Sequence, residues 1–230
     1  MASTAKVRVD SYDTGTDGTA LSWAAASRRG ELIVIDFWTQ LVLEGRMFHM
    51  QIGTESTPVD TTTTIADTLV WMLLDTSAGT TTLPAYADVW VQTFGNTAET
   101  LEAMLEVDRA KNRYSTGGTA FVPENMRTDR PRTSTCTKCY VGTDITAAAK
   151  TAVPGSMEIA RKAYCETTPS ATNEPCDFVG NLAPLFKTPD RPTCAVVDVG
   201  SVLTHFGSGT ADCTGYGLFE WAEIPTTAAK

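Results

Sequence analysis

Short apolar runs separated by polar turns dominate the chain, and the runs have the period of two that β-strands show. In residues 86–94, for example, Val89, Val91 and Thr93 alternate with Asp88, Trp90 and Gln92. Other runs are short, β-branched and aromatic, which also favours strands. The pattern predicts strands at residues 6–10, 31–38, 41–52 (with Gly45 as a bulge), 68–74, 86–94, 135–141, 157–165, 194–199, 201–206 and 216–223.

Residues 99–110 are compatible with two structures. Leu101, Ala103, Leu105 and Val107 alternate with Glu102, Met104, Glu106 and Asp108, which is typical of a strand with one wet face. The same segment contains good helix formers, and Leu101, Met104 and Leu105 also fit a helical face. We prefer the strand, and we expect Glu102 and Glu106 on its solvated side rather than paired in a glycosidase cleft.

Roughly one residue in six is threonine, and the threonines cluster between the apolar runs. Threonine suits turns and half-wet pleated surfaces, so the clusters at 61–64, 80–82 and 133–137 are expected to mark turns. No linker or repeat divides the chain. The prediction is an all-β fold, a β-sandwich or jelly roll of about ten strands with long loops. It forms a single domain over residues 1–230 with extended termini.

Charge and hydropathy narrow the possible partners. The formal net charge of −9 repels phosphate, so we expect no nucleic-acid partner. The apolar runs are too short to span a bilayer, so no membrane partner is expected. Residues 1–6 lack the apolar stretch of a signal peptide, which favours synthesis in a cytoplasm.

The residues that could carry chemistry form no complete catalytic motif. Cys136 and Cys139 have the spacing of a zinc half-site, but no second such pair follows. Buried free thiols are the favoured interpretation, with disulfides and a metal site as alternatives. His49 and His205 each lie in an apolar, strand-like run, which favours partly buried histidines over a general base. We therefore predict no enzyme, no catalytic or metal-binding residues, and no cofactor.

The aromatic residues are better candidates for contact with a partner. The interface candidates are Trp90, Trp38, Phe94 and Trp221. Trp90 is the strongest of them, because it lies on the less apolar side of its strand.

Several loop and strand signatures resemble a group of proteins encoded in tailed-phage genomes from aquatic environments. The resemblance rests on Val107-Asp108-Arg109-Ala110, on Gly117-Gly118-Thr119-Ala120, on residues 122–129 and on the closing residues 216–223. It is closest over the second half of the chain. The six cysteines depart from that group, and none of the shared motifs identifies a functional residue.

The resemblance implies a virion structural protein, specifically a jelly-roll capsid decoration (cement) protein. Its partners would be the major capsid protein and other copies of itself, as a homotrimer. Its place would be the capsid exterior, where acidic charge is kept away from packaged DNA. Two alternatives remain open: a tail or fibre-associated module that binds a host-surface glycan, and a β-sandwich hydrolase acting on polysaccharide.

Overall fold

A computed structural model of the chain describes residues 24–26, 32–34, 36–62, 64–93, 100–129, 131–136, 138–152, 155–165, 184–188, 193–208 and 213–228. The predicted strand at residues 6–10 and the interface candidate Phe94 lie outside these ranges.

The described residues form sixteen strands and one α-helix. In chain order they are β1 (Ala24–Ala26), β2 (Leu32–Val34), α1 (Phe37–Leu43), β3 (Met47–Ile52), β4 (Val59–Asp60), β5 (Leu69–Asp75), β6 (Thr80–Thr93), β7 (Thr100–Asp108), β8 (Tyr114–Thr116), β9 (Thr119–Ala120), β10 (Glu124–Asn125), β11 (Lys138–Ala147), β12 (Ser156–Cys165), β13 (Phe186–Lys187), β14 (Val196–Val197), β15 (Ser201–Ser208) and β16 (Thr214–Pro225), followed by a 3-10 turn at Thr226–Ala228.

Two antiparallel sheets pack face to face, which confirms the predicted all-β sandwich. Sheet 1 has the order β10-β3-β16-β6-β13, with β14 also pairing with β6 and β4 with β16. Sheet 2 has the order β12-β7-β15-β5-β11-β8, with β9 also pairing with β11. A separate hairpin joins β1 and β2.

Large aromatic side chains fill the space between the sheets. Trp71 and Phe206 from sheet 2 contact each other with ring centroids 4.7 Å apart. They face Gly217 and Gly215 of sheet 1: a Cβ on Gly217 would lie 2.7 Å from Trp71, and one on Gly215 would lie 2.8 Å from Phe206. The rings of sheet 2 therefore rest directly against the backbone of β16.

The helix α1 replaces part of two predicted strands, at 31–38 and 41–52. Asp36 caps it, because its carboxylate accepts hydrogen bonds from the backbone N–H groups of Trp38 (3.1 Å) and Thr39 (3.0 Å). Gly45 ends the helical segment with a φ of +67°, which glycine adopts without steric cost, so it serves as a helix cap and not as a strand bulge. Only residues 47–52 of the second segment form a strand.

Strand β7 confirms the preferred structure of residues 99–110. Its apolar residues at 101, 103, 105 and 107 are completely buried between the sheets. The strands predicted around residues 68–74, 86–94, 135–141, 157–165, 201–206 and 216–223 are also present, whereas the segment 194–199 contributes only the two residues of β14.

The threonine cluster at 80–82 lies inside strand β6, not in the predicted turn. Thr81 and Thr82 are fully buried, since a β-branched side chain fits the interior of a sheet. The Thr82 hydroxyl accepts a hydrogen bond from Thr76 (3.0 Å) and lies 3.7 Å from the sulfur of Cys136. The Thr81 hydroxyl has no hydrogen-bond partner among the described residues.

The Thr82 hydroxyl has a hydrogen-bond partner and the Thr81 hydroxyl has none among the described residues, so replacing each with valine should change the stability in opposite directions. Thr81→Val removes an unsatisfied buried hydroxyl and should raise the free energy of unfolding by about 1 kcal/mol. Thr82→Val leaves the Thr76 donor without its acceptor and should lower the free energy by about 1 kcal/mol. Urea denaturation of both variants provides the measurement, and equal effects would contradict the structure.

Candidate functional site

A cluster of charged side chains lies buried on the outer face of sheet 2. Glu106 projects from β7, and its carboxylate lies 2.7 Å from the guanidinium Nη1 of Arg113. Ser156 of β12 donates its hydroxyl hydrogen to the same carboxylate. Glu106 and Arg113 are 3% and 0% exposed, so water screens this ion pair very little.

Arg113 also holds two loops against the sheet. Its Nε donates to the backbone carbonyl of Ala148 (2.9 Å), and its Nη2 donates to the carbonyl of Asp67. Its backbone N–H donates to Ser201 (2.7 Å) and to Asp75 (3.1 Å). One side chain therefore fastens the segments around residues 67 and 148 to the buried carboxylate.

His205 of β15 completes the cluster. Nδ1 lies 2.8 Å from the carbonyl oxygen of Leu69, which can only accept, so Nδ1 carries a hydrogen. Nε2 lies 3.4 Å from Oε2 of Glu106, although it has no well-aligned hydrogen-bond partner among the described residues.

The electrostatics of the cluster suit structural support better than proton transfer. Burial raises the pKa of Glu106, but the close approach of His205, the hydrogen bond from Ser156 and the charge of Arg113 outweigh it and lower the pKa to about 2. Such a carboxyl group holds no proton at neutral pH and cannot act as a general acid. The carboxylate also lies between Ser156 and His205, whereas a serine triad needs the histidine in the middle.

The prediction that Glu102 and Glu106 both lie on a wet face is wrong for Glu106. Glu102 remains half-buried near the surface and is paired with Arg161. Glu106 is buried because Arg113, seven residues later, folds back over it. A cleft of about 350 Å³ lies beside the cluster, between the paired side chains of Lys150 and Asp67 on one side and Arg161 on the other.

The cysteines with described side chains are free thiols. Cys136, Cys139, Cys194 and Cys213 form no disulfide. Burial raises the pKa of Cys136 to about 12 and raises that of Cys139 further, so both stay protonated and unreactive. The described residues contain no group of three or more potential metal ligands. The buried free thiols of Cys136, Cys139 and Cys213 agree with the favoured interpretation; Cys194 is partly buried, and the side chains of Cys165 and Cys176 lie outside the described residues.

The interface candidates lie in different surroundings. Trp90 is 37% exposed on the outer face of sheet 1, and its ring stacks on Tyr216 of β16, with centroids 5.1 Å apart and planes at 16°. Trp38 is half-buried in α1 against Phe37. Trp221 is fully buried in the core, so the predicted interface role of Trp221 is corrected to a core role.

Two carboxylates lie on the same outer face as the aromatic pair. Asp88 precedes Trp90 by two residues on β6 and is paired with Leu218, which separates Tyr216 from Glu220 on β16. Burial raises the pKa of both Asp88 and Glu220. Sequence alternation placed Asp88 and Trp90 together, but Tyr216 and Glu220 join them only through the register of β16.

No family model, curated protein or solved structure matches the chain. Among the described residues, no helix has the length and apolar character needed to span a membrane. The function therefore has to be inferred from the geometry of these two regions.

The buried cluster predicts a large effect of one neutral substitution. Glu106→Gln leaves the buried charge of Arg113 without a counter-charge, and the free energy of unfolding should fall by about 3–5 kcal/mol. Glu158→Gln is the matched control, because Glu158 pairs with Arg161 at the surface and should change the value by less than about 1 kcal/mol. Chemical denaturation measures both. A Glu106→Gln variant as stable as the control would show that the ion pair does not stabilise the fold.

The lowered pKa of Glu106 also predicts a dependence of stability on pH. The folded-state pKa lies below the ordinary value of 4.5, so the stabilisation is complete above pH 4.5 and is lost as the pH falls towards 2. The expected loss is about 3 kcal/mol, from 1.36 kcal/mol per unit of pKa shift. Unfolding free energies of the wild type and of Glu106→Gln should converge over that window. A difference that stays constant down to pH 2 would contradict this assignment.

Proposed function

We propose that the chain is a virion structural protein that decorates the capsid and binds its neighbours through the outer face of sheet 1. The observation that carries the proposal is the stacked pair on the outer face of sheet 1, in which Trp90 is 37% exposed and Tyr216 is half-buried. A large aromatic side chain left in water at such a place is typical of an anchor that a partner covers.

The chemistry of the described residues also supports binding over catalysis. The most strongly perturbed carboxylate, Glu106, is engaged in holding two loops and stays ionised at neutral pH. The thiols of Cys136 and Cys139 stay protonated. The net charge of −9 favours a place on the capsid exterior, away from packaged DNA. The partners under this proposal are the major capsid protein and further copies of the chain, as a homotrimer.

The number of copies per virion tests this proposal. Quantitative mass spectrometry of purified phage particles should find the protein in a fixed, high ratio to the major capsid protein. A handful of copies per particle would overturn the proposal and favour the tail or fibre-associated glycan-binding module.

A pair of variants tests the surface itself. Trp90→Ala should reduce the number of copies bound per particle several-fold, since anchors of this kind contribute about 2 kcal/mol or more. Met157→Ala is the matched control, because Met157 is 39% exposed on the opposite sheet. Equal loss in both variants would show that sheet 1 is not the contact surface.

A further inference from the structure

We infer that the outer face of sheet 1 binds a basic segment of a partner protein, with one arginine or lysine side chain over Trp90 and Tyr216 and another beside Glu220. This inference rests on the proposed function and adds the chemistry of the partner. It depends on the aromatic pair, on the two carboxylates and on the spacing between them.

The aromatic pair offers a surface suited to a cation. The face of an indole or phenol ring carries negative charge density, and a cation within about 6 Å of the ring is attracted to it. The Trp90 and Tyr216 rings are nearly parallel and stack on each other, so a cation would contact a ring face that is turned away from the stack. Asp88 is a neighbour of both rings in the register of β6 and β16. Its negative charge, although buried, would attract a guanidinium group placed against the rings.

The carboxylates are poorly hydrated for residues on an outer face. Asp88 is 7% exposed because the chain itself covers it: Oδ2 accepts from the Tyr86 hydroxyl at 3.2 Å, Oδ1 accepts from the Val89 N–H at 2.9 Å, and the carboxylate also accepts from the backbone N–H of Leu185. The charge of Lys162, from the edge of sheet 2, favours its ionised form, but burial has the larger effect. Burial and the negative charge of Asp88 raise the pKa of Tyr86 to about 12.

Fewer neighbouring groups stabilise the negative charge of Glu220 than that of Asp88. Among the described residues, His49 on β3 favours the ionised form of Glu220, and His49 lies 3.3 Å from the carboxylate of Glu124 on β10. Lys187 on β13 is exposed at the margin of the face, opposite Tyr86. A cation from a partner would relieve the cost of keeping Glu220 ionised. A neutral sugar could donate hydrogen bonds but would leave the charge uncompensated, so a basic protein segment is favoured over a glycan.

The spacing of the two subsites defines the partner further. Tyr216 and Glu220 are four residues apart on one strand, which corresponds to about 13 Å. Two basic residues four positions apart on an extended partner segment span the same distance. The chain's own net charge of −9 also attracts a basic partner over a longer range.

The test uses the full-length protein and the peptide acetyl-Arg-Gly-Arg-Gly-Arg-amide, with its citrulline counterpart as the neutral control. The indole N–H signal of Trp90, assigned with a Trp90→Phe variant, reports binding by NMR. We expect the arginine peptide to shift this signal and the citrulline peptide to shift it at least several-fold less. Binding should weaken as sodium chloride increases, because exposed charges are screened.

Two variants separate the roles of charge and ring. Binding to the variants is measured by the fluorescence anisotropy of the same arginine peptide carrying a fluorescein label. Glu220→Gln and Trp90→Ala should each weaken its binding several-fold, whereas Glu158→Gln on sheet 2 should leave it unchanged. Acidification should also weaken binding: because burial raises the pKa of Asp88 and Glu220, both take up protons at a higher pH than an ordinary carboxyl group.

Equal binding of the arginine and citrulline peptides would overturn the inference. A shift of the Trp90 signal by maltopentaose, with none by the arginine peptide, would also overturn it and would indicate a glycan-binding surface. Neither result changes the copy number per virion, so the proposed function can fail or hold independently of this inference.

Discussion

The buried ion pair between Glu106 and Arg113 constrains the architecture of sheet 2 more than any other polar contact described. Glu106 lies on a strand whose opposite side is entirely core, so its carboxylate must be compensated within the protein. Arg113 provides that compensation and uses its remaining donors to fix the loops around Asp67 and Ala148. The position of these loops, and of the cleft between them, therefore follows from one charge on β7.

The outer faces of the two sheets carry different kinds of side-chain cluster. The outer face of sheet 2 carries the buried cluster of Glu106, Arg113 and His205, which two loops cover. Among the described residues, α1 packs on the end of the outer face of sheet 1 that Met47, Leu83 and Ala222 form. Trp90 and Tyr216 lie towards the other end of the same face. The proposed interaction surface and the supporting network thus lie on opposite sides of one core.

The sequence pattern predicted the strands well where a single face is buried. The alternation in residues 101–107 and 216–223 follows directly from burial between two sheets. The pattern failed at α1, where the apolar residues 37–43 look strand-like, although Asp36 and Gly45 are recognisable helix-capping residues. It also failed for Glu106, because Ser156 and His205 reach it from about 50 and 100 residues away, and nothing local in the sequence shows such contacts.

Gly215 and Gly217 determine how closely the sheets approach each other. In most sandwiches, side chains from both inner faces interdigitate. At these two positions β16 contributes no side chain, and the rings of Phe206 and Trp71 touch its backbone directly. The interior here is therefore one aromatic ring thick instead of two side chains thick. Since Tyr216 lies between the two glycines and points outward, the exposed aromatic stack is separated from the rings of the opposite sheet by a single layer of backbone.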